Sequence, residues 1–436
     1  MRKLALRIFT EWETEGKYIN LAIGSHTLDS LTAKEKSALT ALLYTTVEKK
    51  ITYDYYISSI SKRSVDKIDP VTLNILRLGV CQIVDMDSVP DFAAVNESVK
   101  LARNPGERSF INGVLREISR KRESGELPLP PYEKNPARHF SVKYSLPLWI
   151  VKSFLSELSE EEAILLFESF TKERPLSVSV NTTKISREDF LSELRLRGIS
   201  AFASEISPLT VKIEDKCKPT ELFGFEEGLF FVQDEASCLA ALALAPKKNE
   251  RVIDVCSAPG GKSFASAILM ENEGVVLSRE KRESKLSLIE SGKERLGLSI
   301  IKTESADSTN ADEGLFCAFD KLICDVPCSG LGVISKKSDL RYKDEESVSA
   351  LPELQYAILS ASAKYLKAGG VGIYSTCTLN KKENEEVFRR FLENNEDFTF
   401  EDFKVSGLES VGGTLTLYPH KNGTDGFFIA KLRKKQ

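Results

Sequence analysis

Two cysteines and one glycine-rich turn hold most of the chemistry that these residue types allow. Cys328 lies in Asp325-Val-Pro-Cys-Ser and Cys377 in Ser375-Thr-Cys-Thr, each just past an apolar, strand-like run. The stretch Arg251–Ser263 passes from a short β-type run through Pro259-Gly260-Gly261 into a helix-compatible run ending near Met270. Strand, glycine loop and helix in succession bring backbone N–H groups and a positive helix end to one point, which suits a nucleotide-like cofactor. The loop is not a Walker A motif, because Cys256 stands where that motif needs glycine. A G-x-G-x-x-G fingerprint is absent too. Gly260 and Gly261 permit close backbone approach, and Lys262 brings positive charge to a carboxylate or phosphate.

Carboxylates recur at the ends of the following strand-like runs. Glu280 ends the second, Asp307 follows the third and Asp325 the fourth. In a parallel sheet such residues converge on one rim, where an acid can accept hydrogen bonds from ribose hydroxyls. Asn380 with Glu383 predicts an N-cap, which would put Cys377 just ahead of a helix whose dipole favours thiolate. Cys81, Cys238, Cys256, Cys317 and Cys324 read instead as inert, packed thiols. With eight cysteines, no C-x-x-C and three histidines, neither a disulfide framework nor a metal site is expected.

The elements that must position these groups follow from periodicity. At 436 residues, two or three domains are expected. Residues 1–125 read as a helical bundle. Thr32-x-x-Glu35 is a capping box, and Leu39, Leu42, Leu43 and Val47 keep helical spacing. Asp69-Pro70 opens a helix apolar nearly all round, Asn104-Pro-Gly breaks the pattern, and Phe110 opens the last helix. Residues 126–235 read as a proline-rich linker and a small α+β module. From 236 to 436 strand-like runs alternate with helices at 263–270, 283–296, 347–367 and 381–394. That rhythm predicts a doubly wound, mostly parallel sheet of seven strands.

Charge says less. The net charge is −4, with 19 Lys and Arg against 16 Asp and Glu up to Gly125. Arg116, Arg120, Lys121 and Arg122 form a small basic cluster there, and Lys336, Lys337, Arg341 and Lys343 follow Cys328. Each group is a candidate for nucleic-acid contact, weighed against an ordinary solvated face. No apolar run approaches the ~20 residues of a spanning helix. Glu11, Glu13 and Glu15 interrupt any signal-peptide core, so a cytoplasmic protein without membrane attachment is expected.

Two resemblances join these readings. Val95-Asn-Glu-Ser-Val-Lys-Leu-Ala and Phe110-Ile-Asn-Gly-Val-Leu-Arg-Glu-Ile resemble the NusB-like RNA-binding domain. Residues 136–436 resemble the RNA cytosine carbon-5 methyltransferases of the Nol1/Nop2/Sun family, and with the NusB-like front the bacterial Sun/Fmu type that acts on small-subunit (16S) ribosomal RNA. The matching residues are Phe231-Val-Gln-Asp-Glu-Ala-Ser, Asp254-Val-Cys-Ser-Ala-Pro-Gly-Gly-Lys-Ser, Asp325-Val-Pro-Cys-Ser-Gly, Ser375-Thr-Cys-Thr-Leu and Gly423-Thr-Asp-Gly-Phe-Phe. Three positions depart from the family pattern: Glu280 for aspartate, Arg279 before it, and Leu146 in place of a frequent histidine.

The resemblance implies a Rossmann-like class I methyltransferase fold and S-adenosyl-L-methionine. Cys256, Ser257, Ala258, Pro259, Gly260, Gly261 and Lys262 would hold its methionine end, Glu280 its ribose, Asp307 its adenine side, and Asp325 the transfer site. Cys377 matches the family's nucleophile and Cys328 its release cysteine. Thiolate addition to carbon 6 of cytosine makes carbon 5 reactive, and Asp325 is the candidate acid at ring nitrogen 3. The ring must be single-stranded or flipped out. A monomer is expected. Two alternatives stay open: Cys328 as nucleophile, and a non-catalytic RNA-binding assembly factor with a vestigial cofactor fold.

Overall fold

The computed structural model describes residues 1–436. They divide into two compact units, Met1–Thr171 with Lys337–Tyr342, and Lys172–Lys336 with Lys343–Gln436.

In the first unit, helices Arg2–Glu15, Ala33–Ser61, Pro70–Val84, Asp91–Val99 and Pro105–Glu123 enclose one apolar core. Thr32 accepts from the Glu35 backbone N–H while the Glu35 carboxylate accepts from Thr32, completing the capping box. Asp69 caps the central helix ahead of Pro70, and that helix is buried from Thr72 through Ile83. The last helix starts earlier than Phe110. Asn104 caps it with Pro105 at its first position, so Asn104-Pro-Gly is a start signal: proline's missing N–H costs nothing there. Arg77 is buried in this core. It donates to both oxygens of Asp54 at 2.6 and 2.8 Å and to Glu13 at 2.7 Å.

Lys337–Tyr342 packs with these helices. Asp339 accepts from the Trp12 indole at 2.6 Å and the Ile19 N–H at 3.0 Å, and the Tyr342 hydroxyl donates to the Val47 carbonyl at 2.6 Å. Arg341 is 1% exposed and donates to the carbonyls of Glu48 at 2.8 Å and Ser145 at 3.2 Å. This corrects the reading of Arg341 as an RNA contact. Its guanidinium is satisfied by interior backbone acceptors, which a sequence does not display.

The second unit holds two main sheets. Strands β1 (Leu176–Val180), β2 (Ala201–Ala203), β3 (Thr210–Ile213) and β4 (Phe230–Val232) form an antiparallel sheet in the order β2-β3-β1-β4. Helix Arg187–Leu196 covers it through Phe190, Leu191 and Leu194. The larger sheet contains β5 (Arg251–Asp254), β6 (Val275–Glu280), β7 (Ile301–Ser305), β8 (Phe319–Asp325), β9 (Leu366–Thr376), β10 (Phe398–Phe400) and, beyond the small β11 (Lys404–Val405) and β12 (Leu408–Glu409) ribbon, β13 (Thr414–Leu417) and β14 (Phe427–Lys434). Its order is β10-β14-β9-β8-β5-β6-β7, with β13 paired to β14. The strands from β9 to β7 run parallel, while β14 is antiparallel to β9.

Alternation along the strands separates two cores. Val252, Ile323 and Ile373 face helices Glu235–Leu244, Gly261–Leu269 and Glu283–Leu296. Ile253, Cys324 and Tyr374 face Leu351–Ser362 and Glu385–Asn394. This is the three-layer, doubly wound arrangement that the sequence rhythm predicts. β13 is the eighth strand, beyond the seven read from the sequence. Its four residues follow Gly412 and Gly413, both at positive φ, and it forms only by pairing with β14.

Replacing Arg77 with Met strands two carboxylates and is expected to cost about 3–5 kcal/mol, read as a lower urea midpoint for the helical unit. Burial pushes the Glu13 carboxyl up, but the Arg77 and Lys50 charges outweigh it and hold Glu13 below its ordinary value. A folded value depressed in this way gives stability that is complete above the ordinary glutamate range and lost as pH falls through it. Arg77→Met should therefore also flatten the acid limb of the stability profile.

Candidate active site

The strand order turns back between β5 and β8: β6 and β7 lie on one side of β5, β8 and β9 on the other. The carboxyl ends of β5 and β8 at such a switch point form the crevice where open α/β sheets bind ligands. The glycine loop leaves β5 there. Gly260 has φ +114°, and a Cβ on it would come within 2.4 Å of the Phe264 ring, so only glycine fits. Asp254, at the end of β5, is 1% exposed. One of its oxygens accepts from Ser263 Oγ at 2.8 Å, and the other is buried without a partner. Burial pushes this carboxyl up to about 7.

Lys262, in the first turn after the loop, is 7% exposed. Its ammonium donates to Asp325 Oδ2 at 2.7 Å and Ser237 Oγ at 2.8 Å, and lies 5.0 Å from the centre of the Phe427 ring. The other Asp325 oxygen accepts from Ser375 Oγ at 2.7 Å. Glu280 accepts from the Arg282 N–H at 3.0 Å. Asp307 accepts from Thr309 and pairs with Lys281 at 2.7 Å, contacts that hold its carboxyl down at about 2. Burial first, then the charges of Asp254, Asp325, Glu280 and Asp307, push the Cys256 thiol upward, so four strand-end acids surround the loop. Arg279 does not disturb this rim. It is buried, with Glu304 at 3.3 Å and the Tyr365 hydroxyl at 3.0 Å.

Beyond Asp325 and Ser375 the two cysteine loops face each other, with Cys328 Sγ 3.3 Å from Cys377 Sγ. The hydrogen bond to Cys377, then burial, pushes the Cys328 thiol far up. Either sulfur could donate in this contact, and a thiolate on one would be stabilised by the S–H of the other. The predicted cap does not form. The helix begins at Glu385, and Glu383 turns its carboxylate towards the cysteine loops instead. Cys377 thus faces Cys328 and does not stand at a helix end.

The other candidate cations are scattered. Lys336 pairs with Asp234 at 2.7 Å and Asp425 at 2.8 Å, and Lys343 donates to the Cys328 carbonyl at 3.0 Å. Lys337 is exposed. In the helical unit Arg120 bonds Glu117, Arg122 bonds the Ile83 carbonyl and faces Asp91, Arg116 bonds Asn112, and Lys121 lies 4.0 Å from Glu126. Sequence reasoning took Glu383 only as the cap partner of Asn380 and gave no role to Ser329, Thr378 or Gln355. Nothing local marks the polar run Asn380-Lys-Lys-Glu-Asn as interior.

Five separate segments meet at this site: 231–237, 254–263, 325–329, 375–379 and 423–428. Comparison with known proteins gives the same pattern a lineage. Residues 241–433 match the model for 16S rRNA methyltransferase RsmB/F, residues 1–120 the NusB family, and residues 146–220 the ferredoxin-like domain of RsmF/B-like methyltransferases. A Bacillus subtilis protein named probable ribosomal RNA small subunit methyltransferase B is 35% identical, over 100% of this chain and 99% of its own. The chain belongs to the RsmB/F family of ribosomal RNA small-subunit methyltransferases. A Synechocystis relative of the same name is 32% identical over 99% of each chain. Among solved structures, PH0851 superposes with TM-score 0.80 at 27% identity, covering 99% of this chain and 98% of its own. A methyltransferase homologue from Pyrococcus horikoshii gives 0.59 at 28% identity, over 69% and 99%. No helix is long and apolar enough to cross a membrane.

Because one sulfur donates to the other across this contact, iodoacetamide near neutral pH should alkylate one of the two thiols first, and peptide mass identifies the accepting sulfur. Equal labelling of Cys328 and Cys377 would show that neither sulfur is held as the acceptor.

Proposed function

We propose that the protein methylates carbon 5 of a cytosine in small-subunit ribosomal RNA through a covalent adduct on Cys377. The observation that carries this reading is the Cys328–Cys377 contact at 3.3 Å beside the Lys262–Asp325 pair. Carbon 5 of cytosine is a poor nucleophile, and a thiolate bonded to carbon 6 turns the ring into an enamine. Cys377 matches the nucleophile position of the family that residues 136–436 resemble, which favours it over Cys328 in that role.

The methyl donor is S-adenosyl-L-methionine, which supplies its methyl group as a sulfonium substituent. The residues present fit it. Gly260 and Gly261 open the loop backbone, and the partnerless oxygen of Asp254 is a buried acceptor at the same strand end. Residues Cys256–Lys262 hold the methionine end, Glu280 the ribose and Asp307 the adenine side. Asp325, oriented by Lys262 and Ser375, is the candidate acid at ring nitrogen 3, where its protonated form would donate to the nitrogen as charge develops there. Once a base has taken the carbon-5 proton, the carbon 6–sulfur bond breaks and Cys377 leaves as thiolate, with Cys328 assisting. The target base must be single-stranded or flipped to reach the thiols. The NusB-like residues 1–125 supply RNA affinity, 126–235 guide the substrate and 236–436 carry the chemistry, in a cytoplasmic monomer. The intact Lys262, Asp325, Cys328 and Cys377 favour this over a vestigial, non-catalytic fold.

Cys377→Ala should abolish methyl transfer to small-subunit RNA, while Cys328→Ala should accumulate an RNA-linked band on denaturing gels. Methylation surviving in Cys377→Ala would overturn the mechanism. A band formed only by proteins that keep Cys328 would make Cys328 the nucleophile.

A further inference from the structure

We propose that Glu383 is a positioning residue that holds the two cysteine loops together and sets the release half of the reaction. The proposal rests on the roles assigned above to Cys377 and Cys328. Glu383 is fully buried. Its carboxylate accepts four hydrogen bonds: from the Ser329 N–H at 2.8 Å, Ser329 Oγ at 2.5 Å, Gln355 Nε2 at 3.0 Å and Asn380 Nδ2 at 2.9 Å. Its own backbone carbonyl accepts from the Tyr374 hydroxyl at 2.5 Å. Ser329 gives its only hydroxyl proton to Glu383, so the 2.7 Å contact between Ser329 and Thr378 is donated by Thr378. Ser329 adjoins Cys328 and Thr378 adjoins Cys377. One carboxylate therefore reaches both loops through residues next to the two thiols.

The chemistry explains why an acid stands there. All four partners are donors, and a carboxylate is the side chain that only accepts. An amide of the same shape would aim an N–H at one of those donors. Burying a carboxylate among neutral donors is costly, and a packing role alone would be met by an apolar side chain. Around this tie, Gln355 also donates to the Pro327 carbonyl at 3.0 Å, Lys343 to that of Cys328 at 3.0 Å, and the Gly332 N–H to that of Cys377 at 3.0 Å. The Cys328 loop is thus held along its length, but only the Glu383 tie joins the residues beside both sulfurs. With carbon 6 bonded to Cys377, the distance at which Cys328 stands decides whether release proceeds or the adduct persists.

The test uses the full chain with Glu383→Gln and, because that variant removes a buried charge, Ser329→Ala as a milder break in the same tie. Three readouts are taken on protein of verified melting temperature. Diamide-driven disulfide formation between Cys328 and Cys377 measures their apposition without RNA or cofactor. Calorimetry measures S-adenosyl-L-methionine affinity. Single-turnover gels measure the fraction trapped as RNA adduct. The expectation is crosslinking and turnover both slower by about tenfold or more, a larger trapped fraction, unchanged cofactor affinity, and partial recovery in Glu383→Asp. Wild-type crosslinking and turnover in folded Ser329→Ala would overturn the proposal. So would loss of cofactor binding in step with activity, which would make Glu383 a general structural residue. If wild-type protein forms no adduct and Cys377→Ala methylates normally, the reading of the cysteines fails instead. The crosslinking rates still decide whether Glu383 sets the loops.

Discussion

Parallel pairing of β8 with β9 places Asp325 directly opposite Ser375, and the site is measured outward from that pair. Both strands end within a residue of it, so Cys328 and Cys377 leave the sheet at the same level. A shift of one residue in register would turn Asp325 and Ser375 to opposite faces and part the two thiols. The hydrogen bond between the two side chains adds a side-chain lock to the backbone one. The antiparallel β14 then seals β9 on its other side, with Ile429 opposite Ser375. It also brings Gly426 against Gly332, where a Cβ on Gly332 would lie 2.0 Å from the Gly426 carbonyl oxygen. Neither glycine can carry a side chain without driving the Cys328 loop off the sheet edge.

Charge within this frame is arranged so that few groups ionise unopposed. Lys262 matches Asp325, Lys281 matches Asp307, and Lys336 bridges Asp234 and Asp425. Burial and the nearby Asp234 raise Asp425 to about 6, and Lys336 offsets part of that. The exceptions are Asp254, whose second oxygen has no partner, Glu383, which meets only neutral donors, and the thiol pair. A buried acceptor with nothing to accept from is expensive in a finished protein and useful beside a cationic ligand. Strand-end acids that a structural core would avoid are therefore concentrated at the crevice where β5 to β8 end.

The helical unit shows the opposite economy. Its buried cations, Arg77 and Arg341, are spent on structure: one on Asp54 and Glu13, the other on the carbonyls of Glu48 and Ser145. Their sequence surroundings do not distinguish them from Arg116 or Arg120, which lie on the surface. A basic residue in a string carries no label for the depth at which it will sit. Several cations read as contacts for a partner serve this chain itself, Arg341 and Lys336 among them.

Much of the architecture was legible in the residues because it is built locally. The capping box, the all-round apolar helix at Pro70–Val84, the period-two strands and the glycine loop all depend on neighbours a few positions apart. The motif residues themselves, Lys262, Asp325, Cys328 and Cys377, could be named for the same reason. Which of them touch could not, because sheet order brings together positions 49 and 63 residues apart. The short β13, the sulfur–sulfur contact, the burial of Arg341 and the turning of Glu383 away from a helix cap were all decided by tertiary packing. Each of these groups found its partner across the fold rather than along the chain.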